Sequence, residues 1–249
     1  MKKNLSFLFI LATFCNIFAC RCVLDNFAQD YLEADFVGVI TISETFGERK
    51  QDRNGSQMDV YKAKINVEKI YKGKAFSELN IFGKTTYAYS GACEKLVKSN
   101  EKYFILLQKN SNGEYYVSLC SPMSKLYNEK SINQQLKKEQ KIINYLERNQ
   151  NKFLGLKFVD YYDNSENWDH ANKKTITDFT KTFDKKLNNK FGVYKVKIDN
   201  KEKITEIITI KESGLDEKII QLLMKKNLEL DNYFNQNAND EYLILLRFD

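Results

Sequence analysis

The sequence predicts a β-rich barrel in its first half and a small α+β unit in its last third. Three observations carry that reading. Short apolar segments with a period of two recur between Phe36 and Leu119. From Glu129 the period turns helical, and beyond His170 the order becomes helix, strand, strand, helix, strand. Alternation marks half-buried strands, whereas a stripe at i, i+3, i+4 marks an amphipathic helix.

The chain opens with Met1-Lys2-Lys3 and an apolar run from Leu5 to Ala19. Arg21 and Asp25 close that run before the roughly 20 apolar residues a bilayer span needs, so residues 1–19 read as a secretion signal. Phe36 to Ser43 is a β-branched and aromatic run interrupted by Gly38. In Val60 to Ile70, Tyr61, Ala63, Ile65 and Val67 share one face, with Lys62, Lys64, Asn66 and Glu68 on the other. Leu79 to Phe82, Tyr103 to Leu107 and Tyr115 to Leu119 follow. Asn110-Ser111-Asn112-Gly113 predicts a hairpin between the last two. Five strands at this spacing predict a small closed barrel over residues 20–128.

Ile132, Leu136, Ile143 and Leu146 place a helix over Glu129 to Asn149, the start of a connector (residues 129–169) that also holds a candidate strand from Phe153 to Tyr162. In residues 170–249, Ile176, Phe179, Phe183 and Leu187 mark a helix. Val193 to Ile198 and Ile204 to Ile210 flank a turn at Asp199-Asn200-Lys201-Glu202. Leu215 to Asn227 is helical and Tyr242 to Phe248 a final strand. This segment carries its own apolar faces and no cysteine, and reads as an α+β domain.

Composition narrows function by exclusion. A single histidine, His170, rules out His-x-x-x-His zinc motifs, and no Gly-x-Ser-x-Gly elbow, phosphate-binding Gly-rich loop or Cys-x-x-Cys pair is present. Asp163, Ser165, Asn167 and Asp169 alternate as calcium-loop ligands do, but Trp168 stands where the turn glycine belongs and Lys174 where the bidentate glutamate belongs. No catalytic residue, intrinsic metal or cofactor emerges, and the chain does not read as an enzyme. The formal charge of +6 falls to +4 when Lys2 and Lys3 leave with the signal, a solvated surface rather than a nucleic-acid footprint.

The five cysteines are the strongest constellation. Cutting after Ala19 removes Cys15 with the signal and leaves Cys20, Cys22, Cys93 and Cys120, an even set suited to disulfides in an oxidising compartment. Ile17-Phe18-Ala19-Cys20 is also close to a bacterial lipobox, whose cysteine sulfur is lipidated. Both readings stand: an exported protein, periplasmic or secreted, or an outer-membrane lipoprotein tethered through Cys20. Abundant lysine and asparagine with one proline, Pro122, suggest a bacterial gene.

From Cys20 to about Leu126 the sequence resembles the inhibitory domain of the tissue inhibitors of metalloproteinases, the netrin-like family of OB-fold barrels. The shared features are Cys20-Arg21-Cys22, Ala34-Asp35 opening a strand, Tyr71-Lys72-Gly73 closing a long one, Cys93 after Ser90-Gly91-Ala92, Tyr103 to Leu107, and Cys120 before Ser121. The resemblance implies an OB-fold barrel with disulfides Cys20–Cys93 and Cys22–Cys120. It further implies a protein partner, a zinc metalloprotease. The α-amine and carbonyl of Cys20 would chelate the protease's zinc, and the Arg21 side chain would enter the specificity pocket. The family's extra cysteine beyond the first pair and the six cysteines of the animal inhibitors' second domain have no counterparts. Residues 170–249 resemble, in element order and in Phe191 to Ile210 followed by Gly214-Leu215-Asp216, the C-terminal domain of the energy-transducing TonB family, which implies strand addition to partner peptides.

Overall fold

A long hairpin organises the N-terminal half. In the computed structural model, which describes residues 26–53, 56–86, 93–170, 174–183, 190–199, 203–230 and 241–248, α1 (Phe27–Glu33) leads into β1 (Phe36–Arg53) and β2 (Ser56–Lys72). These two strands pair antiparallel from Val37↔Lys72 to Arg53↔Ser56, with register shifts that bend the ribbon. β3 (Glu78–Phe82) adds to β2, and β4 (Lys102–Leu107) adds to the other side of β1. β5 (Tyr116–Val117) runs parallel to β3, and β6 (Met123–Leu126) completes the edge beyond β4. The order is β5-β3-β2-β1-β4-β6.

Side-chain alternation curls this sheet. Phe36, Ile40 and Ile42 of β1 face inward with Tyr61, Ala63 and Ile65 of β2, the face anticipated from their spacing. Val117 from one edge and Met123 from the other join the same core, so the sheet wraps around it. The expected closed barrel is a curled half-barrel instead: among the described residues no ladder joins β5 to β6. At the strand end, Gly73 adopts φ +85°, and a Cβ there would lie 2.1 Å from the Asp35 carbonyl oxygen.

The turn at Asn110–Gly113 forms as predicted, with Gly113 N donating to the Asn110 carbonyl at 2.9 Å. Its ladder stops after one bridge, Lys109↔Tyr115. Tyr115 and Val117 are drawn into the inner core, the Tyr115 ring 4.3 Å from Phe76, and β3 offers them a free edge.

The outer face of the half-barrel is apolar where Val37, Val39, Phe104 and Leu106 emerge. On it lie α1, α2 (Glu129–Arg148) and a second sheet. Ile143 and Leu146 of α2 are buried there and Leu136 packs against them, as the stripe predicts, and Ile142, outside that stripe, is buried beside them; the Ile132 side chain lies outside the described residues. After a 3-10 turn at Gln150–Phe153, β7 (Lys157–Phe158) pairs parallel with β14 (Glu241–Phe248), so the connector supplies an edge strand. The second sheet runs β12-β11-β14-β7, with β11 (Lys190–Ile198) and β12 (Ile204–Lys211). Phe153 to Tyr162 therefore splits into the 3-10 turn, β7 and the start of β8 (Tyr161–Asp163), which pairs with β13 (Leu228–Leu230). The expected polar break at Asp163–His170 holds β9 (Asn167–Asp169), paired with β10 (Lys174–Ile176).

The second sheet is a middle layer. Phe191, Val193, Leu243 and Leu245 point to the half-barrel and α2, whereas Tyr194, Val196, Ile244, Leu246 and Phe248 point to α3 (Asp178–Phe183) and α4 (Glu217–Asn227). Each such side chain contributes about 1.5–3 kcal/mol on burial, so the first set ties the two halves into one core. Arg247 Nη2 reinforces the seam on Glu139 of α2 at 2.7 Å, where Glu139 is 7% exposed.

α4 begins at Glu217, two residues after the expected start at Leu215, behind a side-chain cap. Asp216 accepts from the Lys218 and Ile219 amides, and Lys225 and Lys226 sit in the last turn, where the helix dipole favours cations.

Candidate functional site

Cys93 and Cys120 are both disulfide-bonded. The chain brings their neighbourhoods together through Leu119 N, which donates to the Cys93 carbonyl at 3.0 Å. Around Cys120 a tight turn is closed by Ser118 N on Ser121 Oγ (2.9 Å) and Ser121 N on the Ser118 carbonyl (3.2 Å). Cys20, Arg21 and Cys22 lie outside the described residues, and with them the expected Cys20–Cys93 and Cys22–Cys120 pairings and the roles the resemblance gives Cys20 and Arg21.

The segment after Cys93 is pinned to the half-barrel by backbone and by one phenol. Lys95 N donates to the Phe82 carbonyl at 2.8 Å. Tyr61, fully buried on β2, donates its hydroxyl to the Lys95 carbonyl and accepts from Val97 N, both at 3.0 Å. Burial pushes that phenol up to about 12 against the Val97 hydrogen bond, which pulls it down. Desolvation of the same end also lowers the Lys95 ammonium, with Glu101 opposing.

Glu101 organises the neighbouring surface. It pairs with Lys125 Nζ and accepts from Tyr103 Oη (2.6 Å) and Lys98 N (2.8 Å). Desolvation alone would raise its carboxyl, but these three bonds outweigh it and hold the group below the usual carboxylate range. Burial and then Glu101 drive the Tyr103 phenol far up. Beside this hub opens a cleft of about 440 Å³ between Lys95, Lys98 and Lys125 and two apolar groups, Leu119 and Tyr127. Leu119 is 48% and Tyr127 81% exposed, so the rim near Cys93 and Cys120 presents apolar surface to solvent.

Asn26 is the first described residue and is buried. Its Oδ1 accepts from Ala28 N at 3.0 Å and caps α1, while Nδ2 donates to the Val159 carbonyl (3.4 Å) and Asp160 Oδ1 (3.2 Å). Three residues separate Cys22 from Asn26, so the four Cα–Cα steps reach at most about 14 Å.

The remaining sequence candidates are occupied otherwise. Asp163 Oδ1 accepts from Ser165 N (2.9 Å) and Oγ (2.6 Å), a local turn that replaces the calcium-loop geometry. Among the described residues no three His, Cys, Asp or Glu side chains are grouped to hold a metal ion, and no helix is long and apolar enough to cross a membrane.

Sequence reading missed the Tyr61 bridge, the Glu101 hub and the Asn26 anchor. Tyr61 looked like one more inward residue of an alternating strand. Asn26 did carry a signal, a capping residue ahead of Phe27-Ala28-Gln29-Asp30-Tyr31, but seven residues show too little periodicity to read as a helix.

The described half-barrel thus has disulfide-bonded Cys93 and Cys120 on the segments after β3 and β5, with the capped helix α1 ahead of β1. The family model for tissue inhibitor of metalloproteinase matches residues 18–145, just over half of the chain. The chain belongs to that family. The match takes in Cys20-Arg21-Cys22 at one end and most of α2 at the other, further than the resemblance to Leu126 had reached. No curated protein sequence matches the chain.

Proposed function

We propose that this is an exported cell-envelope protein that binds a zinc metalloprotease and inhibits it through the free N-terminus of Cys20. The observation carrying this reading is a family match that spans Cys20-Arg21-Cys22, on a fold in which Cys93 and Cys120 are both disulfide-bonded. In the proposed pairing, Cys20–Cys93 and Cys22–Cys120 hold the terminus against the rim of Leu119 and Tyr127. The Cys20 α-amino nitrogen and carbonyl oxygen form a five-membered chelate on the protease's zinc and displace the water that would attack substrate. Arg21 enters the adjoining pocket and sets which proteases are bound. Leu119 and Tyr127 supply apolar contact beside the chelate, where aromatic groups contribute most to binding.

The chemistry requires an unacylated amine, because an amide nitrogen has no lone pair to give. Intact mass and a non-reducing peptide map of the native mature protein test this together. The reading predicts a chain of residues 20–249 with two disulfides and no lipid. Ile17-Phe18-Ala19-Cys20 favours a second reading, a lipid-anchored structural envelope lipoprotein. In that case the mass carries a diacylglycerol and Cys20 forms no disulfide. Incubating the unlipidated protein with a broad panel of zinc proteases then reads the activity: inhibition of at least one is expected, and inhibition of none sinks the proposal.

A further inference from the structure

Four contacts tie α1 and its capping residue Asn26 to the C-terminal sheet and the segment after β7. Asn26 donates to the Val159 carbonyl and to Asp160 Oδ1, both just past β7. Phe158 N donates to Gln29 Oε1 on α1 at 2.9 Å. The Arg247 guanidinium of β14 lies 5.5 Å from the centre of the Phe27 ring, while its Nη2 is held by Glu139. Phe27 in turn stacks on Phe104 of the half-barrel at 6.4 Å. The orientation of the Asn26 carboxamide is fixed, since the Ala28 amide needs an acceptor and so places Oδ1 toward α1 and Nδ2 toward Asp160.

From these contacts we propose that the C-terminal sheet is a positioning element for the inhibitory terminus, with Asn26 and Asp160 as the positioning pair. The inference rests on the inhibitor reading for its functional consequence and on the described contacts for its geometry. The six Cα–Cα steps from Asn26 to Cys20 reach at most about 21 Å when extended, so fixing Asn26 confines where the Cys20 amine can lie. Disulfides alone would anchor the segment at Cys20 and Cys22. The Asn26 clamp anchors its other end, and a chain fixed at both ends loses less conformational entropy when it binds.

The test separates the clamp from the cap. Asn26→Asp keeps an acceptor for the Ala28 amide, so α1 stays capped, but removes the donor and sets a carboxylate against Asp160. Adding Asp160→Asn restores a donor–acceptor pair of reversed polarity. Hydrogen–deuterium exchange of the peptide covering residues 20–26 is measured on the oxidised mature protein. Exchange should be at least about tenfold faster in N26D and return toward the native rate in N26D/D160N, with the unfolding midpoint little changed. Where the native protein inhibits a protease, its inhibition constant should rise and recover in the same order. Unchanged exchange in N26D, or a loss that D160N fails to repair, overturns the positioning role. A native protein that inhibits no protease sinks the inhibitor reading alone, because exchange needs no protease.

Discussion

Tyr61 shows how one side chain holds the cystine-bearing segment to the sheet. Its hydroxyl satisfies the Lys95 carbonyl and the Val97 amide at once. Tyr61→Phe leaves both without that partner, and the buried amide makes this expensive, so a loss of about 1–3 kcal/mol is expected in urea unfolding. The same phenol makes the fold sensitive to alkali. An unfolded tyrosine ionises near 10 and Tyr61 near 12, so the folded state holds the proton more tightly. Its contribution is complete below about pH 10 and is lost as pH rises toward 12. Tyr103 and Tyr194, raised by burial and by Glu101 and Glu217, act in the same direction. Urea midpoints should fall between pH 10 and 12, less steeply in Y61F. Gly73→Ala meets a different limit. It combines a positive φ with a backbone oxygen 2.1 Å from the new Cβ, so the strand end must move at a cost of about 1–3 kcal/mol or more. Equal stability of G73A and the parent would contradict the close approach to Asp35.

At the scale of elements, patterns long enough to repeat were readable and short ones were not. Tyr61, Ala63 and Ile65 gave β2 its inner face, and Ile143 and Leu146 gave α2 its buried stripe, because each element repeats its period several times. β6 spans only Met123–Leu126 and α1 only Phe27–Glu33, too short for a period to show. The path from β4 to β5 failed differently. The local turn at Asn110–Gly113 was legible, but the partner of β5 was chosen by the burial of Tyr115 and Val117 against Phe76, a non-local preference. Strand spacing did predict a curled sheet, but not that it would stop at a half-barrel, since that extent depends on Val117 and Met123 meeting across the inner core. Of the site, the cysteines were legible because their chemistry is scarce, whereas Asn26, Asp160 and Glu101 are common polar residues given meaning by neighbours distant in sequence. Leu146→Ala on α2 tests how far this packing reaches. It removes a fully buried side chain from the core shared by both sheets, and a loss of about 2–5 kcal/mol is expected. Far-UV and near-UV signals should shift to lower urea together; a shift confined to one half would show that α2 serves only that half.

Across the whole molecule, the half-barrel and the second sheet share a core through α1 and α2. A fragment of residues 170–249 would lack β7 and expose Phe191, Val193, Leu243 and Leu245. It is expected to bind a hydrophobic dye and to unfold without a cooperative transition, whereas the mature full chain unfolds in one. A fragment with a sharp transition of its own would mean that the seam is not needed for folding. The proposed inhibition depends on the free amine of Cys20, and an alanine placed before Cys20 is the sharpest test of it. The insertion moves the amine by about 3.5 Å and converts the Cys20 nitrogen to an amide while leaving the fold untouched. Inhibition of whichever zinc protease the free-amine protein inhibits should disappear with the unfolding midpoint unchanged. An alanine-extended protein that inhibits as strongly as the native one would contradict the chelating role of Cys20.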